Sequence, residues 1–248
     1  MPGPNVTAVE RVIDIYEAFQ ASQRPMSLTD LAEAVDIPKS TCHAIVSTLM
    51  ARGYLYSLTR PRSLYPTKRM HDVASDILAK DPFIERAAPM LEKLRDESGE
   101  TVILGKRQGD AVVYLQVVQS THPIRYSARP GDIKPLHSSS VGKALLGSLR
   151  TGELLAWVDG RNLPSVTRST ITDAAALVAD IARGRAAGYF QTRGENVGDV
   201  WAVAVPVAVN NETLAIAVAG PGHRMEAGLA NCARRLVAAC ADLQQATK

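Results

Sequence analysis

Between Met26 and Gly53 the chain carries two short apolar runs at helical spacing, with a break between them. Leu28, Leu31, Ala32 and Val35 fall on one face of the first run. Ser27, with Asp30 three residues later, has the form of a capping box at its start. Asp36-Ile37-Pro38 interrupts the pattern, because the residue before a proline avoids the αR region. Pro38 suits the first turn of a second helix, where no N–H is needed, and that helix is predicted over 38–52. Cys42, Ile45, Val46 and Leu49 form its inner stripe, and Gly53 ends it. Lys39, Ser40, Thr41 and His43, at its N-terminal end, are small, polar or cationic instead. A helix with such an opening face, propped by a shorter helix before it, has the form of a helix-turn-helix recognition helix.

The pattern extends in both directions. Thr7 and Glu10 make a capping-box pattern, after which Val9, Val12, Ile13, Tyr16 and Phe19 repeat as a first helix packed under the pair. After Gly53, Tyr54-Leu55-Tyr56 and Leu64-Tyr65 are β-prone and flank a basic tip, Arg60-Pro61-Arg62, which predicts a hairpin. Helix, helix-turn-helix and hairpin make a winged helix-turn-helix over 1–67. Residues 68–80 come next as an amphipathic linker helix with Met70, Val73, Ala74, Ile77 and Leu78 apolar. Asp81-Pro82 breaks it and starts the next helix, so a second domain is expected over 81–248.

That domain alternates between the two periods. Thr101–Lys106 and Ala111–Val118 read as strands joined at Gln108-Gly109-Asp110, and Ile124–Ala128 as a shorter third strand. A helix is expected to begin near Ser138, and another over Thr172–Ala187, capped by Thr172 or Asp173 and ended by Gly188. Val200–Val209 and Thr213–Ala219 form the strongest strand pair, joined through Asn210-Asn211. His223–Gln245 closes the chain as a long helix with Met225, Leu229, Cys232, Leu236, Val237 and Cys240 inward. An antiparallel sheet with helices packed against it places this domain in the α+β class.

Charge sharpens the first domain and says little elsewhere. Residues 37–71 hold Lys39, Arg52, Arg60, Arg62, Lys68 and Arg69 and no acid, whereas residues 1–36 are predominantly acidic. Basic charge thus gathers on the second helix, the hairpin and the start of the linker, where phosphates would lie. The net charge of +3 over 248 residues is too small to make that argument alone. Three cysteines without CxxC spacing argue for a reducing cytoplasm and against a disulfide framework or zinc site. The histidines show no metal-ligand spacing, so neither metal nor cofactor is expected. No stretch is long and apolar enough to span a bilayer.

The chain resembles the IclR family of bacterial transcriptional regulators. The resemblance rests on VERVIDIYEAF, LTDLAEAVDIPKSTCHAIVSTLMARGYL, LYPTKRM, LHSSSVGKALL, GENVGDVWAVAVPV and AVAGPGHRM, in that order and over nearly the whole chain. It implies a winged helix-turn-helix, a linker helix and a GAF-like effector-binding domain. It also implies a homodimer or homotetramer that binds double-stranded operator DNA, as a repressor, and answers a small organic acid from a catabolic pathway. Ala44 stands where the family often has arginine, and Pro66-Thr67 replaces a common linker start. Thr192 and Ala202 stand where an acidic residue and a cysteine are frequent, which suggests room for an uncharged, aromatic effector body.

The candidate site residues form two sets. Lys39, Ser40, Thr41, His43, Arg60 and Arg62 are the expected DNA contacts. Ser138, Ser139, Ser140 and Val141 open a helix whose free N–H groups and positive end would seat a carboxylate. By the resemblance, Tyr126, Thr192, Glu195, Val200 and Ala202 would surround the rest of the effector, although a plain core role is open for the apolar ones. His137 reads as a structural hydrogen-bonder, and Trp201 should point to the other face of the sheet from Val200. The alternative function is a GAF-like small-molecule enzyme with an accessory DNA-binding domain. Ser, His and Asp are present without a GxSxG elbow, so no catalytic residue is assigned.

Overall fold

The computed structural model describes residues 6–59, 62–78, 82–209 and 212–246. The chain divides into two compact units, Met1–Pro82 and Phe83–Lys248. The first unit is built from α1 (Thr7–Ser22), α2 (Leu28–Ala34), α3 (Lys39–Ala51), the hairpin β1 (Leu55–Thr59) and β2 (Arg62–Pro66), and α4 (Arg69–Leu78). Ser27 and Asp30 form a reciprocal capping box on α2, a contact typically worth about 1 kcal/mol. The turn into α3 depends on Asp36, which takes a left-handed φ of 49°; aspartate tolerates that conformation because its short side chain can bond locally. Pro38 is the residue before α3 rather than its first residue. Cys42, Val46 and Leu49 from α3 meet Leu31, Ile15, Phe19, Leu55 and Leu64 in one core. The hairpin tip is shorter than expected, since Ser57, Leu58 and Ser63 are paired strand residues. Arg60 and Pro61, like Ala79, Asp81 and the Asn210-Asn211 turn, lie outside the described residues.

Two expectations for α1 fail. Thr7 is already helical and makes no cap; Val6 precedes the helix without a side-chain bond. Ile15 and Phe19 carry the buried face, whereas Val9 and Ile13 are more than half exposed. The acidic, polar sequence between them leaves two apolar stripes on this helix, and only one enters the unit's own core.

The second unit is a six-stranded antiparallel sheet in the order β5-β4-β3-β8-β7-β6. The strands are β3 (Thr101–Gln108), β4 (Ala111–Val118), β5 (Ile133–Pro135), β6 (Phe190–Arg193), β7 (Val200–Val209) and β8 (Glu212–Pro221). Helices α5 (Pro82–Ser98) and α9 (Gly222–Ala246) cover one face; α6 (Ser140–Gly147), α7 (Thr151–Val158) and α8 (Ala174–Ala187) belong to the core of the other. Side-chain alternation sorts the two faces. On β7 and β8 the α9 side receives Val203, Val205, Val207, Leu214, Ile216 and Val218. The α6 side receives Ala202, Ala204, Ala215, Ala217 and Ala219. This small-residue face lets α6 lie close to the sheet and leaves a cleft where α6 begins. Gly142 reflects the same crowding: a Cβ there would run into the backbone of Leu136.

Ile124–Ala128 is not a strand. Its carbonyls are taken by side chains instead: Thr101 Oγ1 donates to Tyr126 at 2.6 Å, and Gln119 Nε2 to Ala128 at 3.1 Å. The strand that pairs with β4 is β5, later in the chain. Helix α7 and strand β6 were not anticipated from the sequence. On α9, Val237 is exposed, and Ala233 and Leu243 complete the inner face.

Candidate functional site

The outer surface of α3 is set by about 3.6 residues per turn. With Cys42, Val46 and Leu49 inward, Ser40, Ala44, Ser47 and Ala51 point away from the core. Lys39, His43 and Met50 flank that face on the hairpin side. Together with Ser47, Ser57, Thr59, Arg62 and the start of α2, they line an open cleft of about 850 Å³ between α3 and the wing. Arg62 opens β2 opposite Thr59, so the wing carries its charge at the cleft's rim. Of the sequence-predicted DNA contacts, Lys39, His43 and Arg62 are therefore brought together and Ser40 is exposed beside them. Thr41 lies on the opposite flank of α3 and is half-buried. Ser47 was missed, although its spacing of four from His43 places it one turn further along the same groove. Thr48 is less available, because its hydroxyl donates back to the Ala44 carbonyl at 3.0 Å.

In the second unit, α6 begins later than expected. Ser139 is its cap: its Oγ accepts from the Gly142 N–H at 3.1 Å and donates to the Pro135 carbonyl at 2.7 Å. A cleft at this helix start is lined by Tyr126, Ser139, Ser140, Thr192, Val200 and Ala202, all expected, and by Ile103, Tyr114, Asn196, Val197 and Ala219, which were missed. Thr192 and Ala202 are register partners across β6 and β7, so both face it. Trp201 packs on the opposite face and stacks with Arg193. The polar groups offered are hydroxyls and one amide. Burial, helped by the neighbouring Tyr126 hydroxyl, pushes the Tyr114 phenol well above its usual range, so it stays a neutral donor. Free volume in the cleft is about 20 Å³, enough for one water.

Ser138, Val141 and Glu195 lie outside that lining. Ser138 Oγ accepts from Asn196 Nδ2 at 3.1 Å. Val141 packs in the core at the position where a Cβ on Gly105 would lie 2.8 Å from its Cγ1. Glu195 turns instead to Lys143, a residue the sequence pattern did not single out. Lys143 is fully buried on α6, with Nζ 2.7 Å from Asp180 and 2.5 Å from Glu195. Burial raises the Glu195 carboxyl above its usual value, and the Lys143 ammonium offsets this only in part. A lysine two positions after Val141 reads from sequence as a solvated helix residue; only the packing of α8 and the 194–197 segment encloses it.

Both regions match known proteins. The IclR helix-turn-helix domain matches residues 8–58, and the C-terminal domain of the bacterial transcriptional regulator IclR matches residues 76–244. The chain belongs to the IclR family. Among its IclR-family relatives, the HTH-type transcriptional regulator BhcR of Paracoccus denitrificans is 34% identical over 89% of this chain and 79% of its own. A probable transcriptional regulator, SauR of Cupriavidus necator, is also 34% identical, over 89% and 88%. The IclR of Thermotoga maritima has the same fold, with a TM-score of 0.81, 20% identity and coverage of 96% and 99%. An IclR homologue of Microbacterium hydrocarbonoxydans, crystallised with 4-hydroxybenzoate, superposes with a TM-score of 0.76 at 22% identity, covering 96% and 98%.

As an IclR-family protein the chain is a DNA-binding transcriptional regulator and not an enzyme. His137 and the two cysteines of α9 have structural surroundings. His137 Nε2 lies 3.0 Å from the Pro164 carbonyl, and burial pushes the Cys240 thiol up to about 12 and raises that of Cys232, which keeps both protonated and inert. Among the described residues, no helix is long and apolar enough to cross a membrane.

Proposed function

We propose that this regulator is a cytoplasmic repressor that binds its operator as a homodimer or higher oligomer and releases it when a small organic acid enters the cleft at the start of α6. In this reading residues 1–67 read DNA, 68–80 link, and 81–248 sense the effector. The observation that carries it is the lining of that cleft. Tyr114, Tyr126, Ser140 and Thr192 bring hydroxyls, and Asn196 an amide, to a helix N-terminus capped by Ser139, beside Ile103, Val200 and Ala202, with no charged side chain in the lining. A carboxylate there is received by neutral donors and by the helix end, which favours an anion by about 0.3–1 kcal/mol, and up to about 2 when partly buried. The apolar remainder, and the 4-hydroxybenzoate held by the Microbacterium relative, favour an aromatic body. Repressors such as AllR of Escherichia coli, 27% identical, support the sign of the response.

Two-fold pairing has its own support. Val9 and Ile13 on α1, with Val6 just before it, and Met70, Val73, Ile77 and Leu78 on α4, form exposed apolar stripes. Covering them with a second copy would bury them and present two recognition helices to successive major grooves.

The test is DNA release. Selection of bound fragments from genomic DNA, followed by footprinting, supplies the operator. Fluorescence anisotropy of that fragment is then monitored as 4-hydroxybenzoate, benzoate and short aliphatic acids are added. Loss of binding with at least one acid is expected. Unchanged binding across the panel would refute the effector class, and tightened binding would refute release by the effector.

A further inference from the structure

The cleft is nearly closed, at about 20 Å³, far below the ~300–1,000 Å³ typical of ligand sites, so an effector must move one of its walls. Two walls lack regular structure: the 124–128 segment, which carries Tyr126, and the 194–197 segment, from which Asn196 and Val197 line the cleft. Gly194 turns the chain into this second segment with a left-handed φ of 73°. Neutral hydrogen bonds tie it down: the Gly194 N–H donates to the Val200 carbonyl at 2.9 Å and the Val200 N–H to the Val197 carbonyl at 3.0 Å, while Thr167 Oγ1 donates to the Gly194 carbonyl at 2.6 Å, Thr170 Oγ1 to the Glu195 carbonyl at 2.7 Å, and Asn196 Nδ2 to Ser138 Oγ at 3.1 Å. A further tie is charged. The Glu195 side chain is only 11% exposed and points under the segment at Lys143, which is 0% exposed.

The charge count around that contact is uneven. One buried ammonium serves two carboxylates, Asp180 and Glu195. Asp180 has a second cation, Arg183 at 2.8 Å, and is partly exposed. Glu195 makes its ion pair to Lys143 alone among the described residues, and its Oε2 has no hydrogen-bond geometry to any group despite the 2.5 Å approach. The Arg193 backbone N–H also favours the charged carboxylate, but one neutral donor does not replace an ammonium, and an uncompensated buried charge is expelled to water or must take up a proton.

We propose that Lys143 is the positioning residue that keeps the effector cleft closed in the ligand-free protein: its ammonium holds Glu195 inside, and Glu195 carries the 194–197 wall against α6. Lys143 does not touch the effector. It sets the energy needed to open the cleft, and therefore how much of the effector's intrinsic affinity is left after opening. The identity of the cleft as the effector site is the reading given above; the closing role of Lys143 is independent of which ligand enters.

Hydrogen exchange of the full-length, ligand-free protein tests the idea. In Lys143→Met, backbone amides of 194–200 should exchange about tenfold faster or more, while β3 and β8 stay protected. Adding Glu195→Gln removes the stranded charge and should return the segment to the wild-type rate. Adding Asp180→Asn instead should not, since Arg183 already serves Asp180. Unchanged exchange in a folded Lys143→Met protein overturns the proposal. So does a double Lys143→Met/Glu195→Gln variant whose segment stays fast, for then Lys143 matters only as packing. If Lys143→Met alone does not fold, recovery of both fold and wild-type exchange by Glu195→Gln, but not by Asp180→Asn, supports the proposal, and failure to recover refutes it. Calorimetry with 4-hydroxybenzoate runs beside these measurements. Tighter binding by folded Lys143→Met is expected; no binding by any variant would sink the effector reading and leave the exchange result to decide the role of Lys143.

Discussion

Replacing Arg62 with alanine is the sharpest test of how the first unit meets DNA. Arg62 stands at the first position of β2, exposed, on the rim of the α3–wing cleft with Lys39 and His43. Among the described residues it makes no ion pair, so its charge is available. Lys68, by contrast, is already 3.5 Å from Asp72. Each phosphate neutralised contributes about 0.9 to the slope of log K against log salt. A dimer presents Arg62 twice, so Arg62→Ala should flatten the slope by about 1.8. Carried from 1 M to 0.15 M salt, 0.9 per contact is about a fivefold change, or roughly thirtyfold for the pair. Fluorescence anisotropy on the footprinted operator, and on unrelated DNA of the same length, at four salt concentrations measures both quantities. The loss should be the same for both DNAs, because a phosphate contact positions without reading sequence. Lys68→Ala should move the slope far less. A slope for Arg62→Ala within about 0.3 of wild type, where 0.9 is one contact, would refute the placement of the wing on the backbone.

The geometry sets three further outcomes. Ser140→Leu fills the cleft at the first residue of α6, and should abolish the response to 4-hydroxybenzoate in the anisotropy assay while operator affinity stays within about twofold; a retained response would move the effector elsewhere. Glu195→Gln should flatten the pH dependence of stability. Because the native carboxyl sits above its ordinary 4.5, its contribution to stability is greatest below that value and is lost as pH rises through the raised native value. Thermal melts of both proteins across pH 4–8 (roughly the range in which such a group titrates) would then differ in slope there, and identical profiles would contradict the burial of Glu195. Ile77, 66% exposed on α4, should weaken self-association when replaced by aspartate; light scattering showing an unchanged oligomer would remove α4 from the interface.

Local patterns determined much of this protein from sequence alone. The Ser27–Asp30 box, the spacing of Cys42, Val46 and Leu49, and the β-prone runs around the wing are each decided within a few residues, and the structure keeps them. The basic, acid-free run over 37–71 pointed to a nucleic-acid surface for the same reason: charge needs no fold to be counted. Alternation along β7 also assigned Trp201 and Val200 to opposite faces.

The features that only tertiary structure decided depend on partners far along the chain. Ile124–Ala128 has strand-like residues, but Thr101 and Gln119 reach its carbonyls first. Val9 and Val237 fit helical stripes and still face outward, since a helix face is buried only if something lies against it. Ser138 and Ser139 look alike in sequence; the position of Pro135 makes one a cap, and that of Asn196 gives the other its partner. Lys143 shows the limit most clearly. The acids nearest to it in sequence, Asp132 and Glu153, pair with Lys134 and Arg150 instead. Its own two carboxylates arrive from positions 180 and 195 only when α8 and the 194–197 segment close over α6. A buried charge is defined by the water it has lost, and that loss is a property of the whole packed unit.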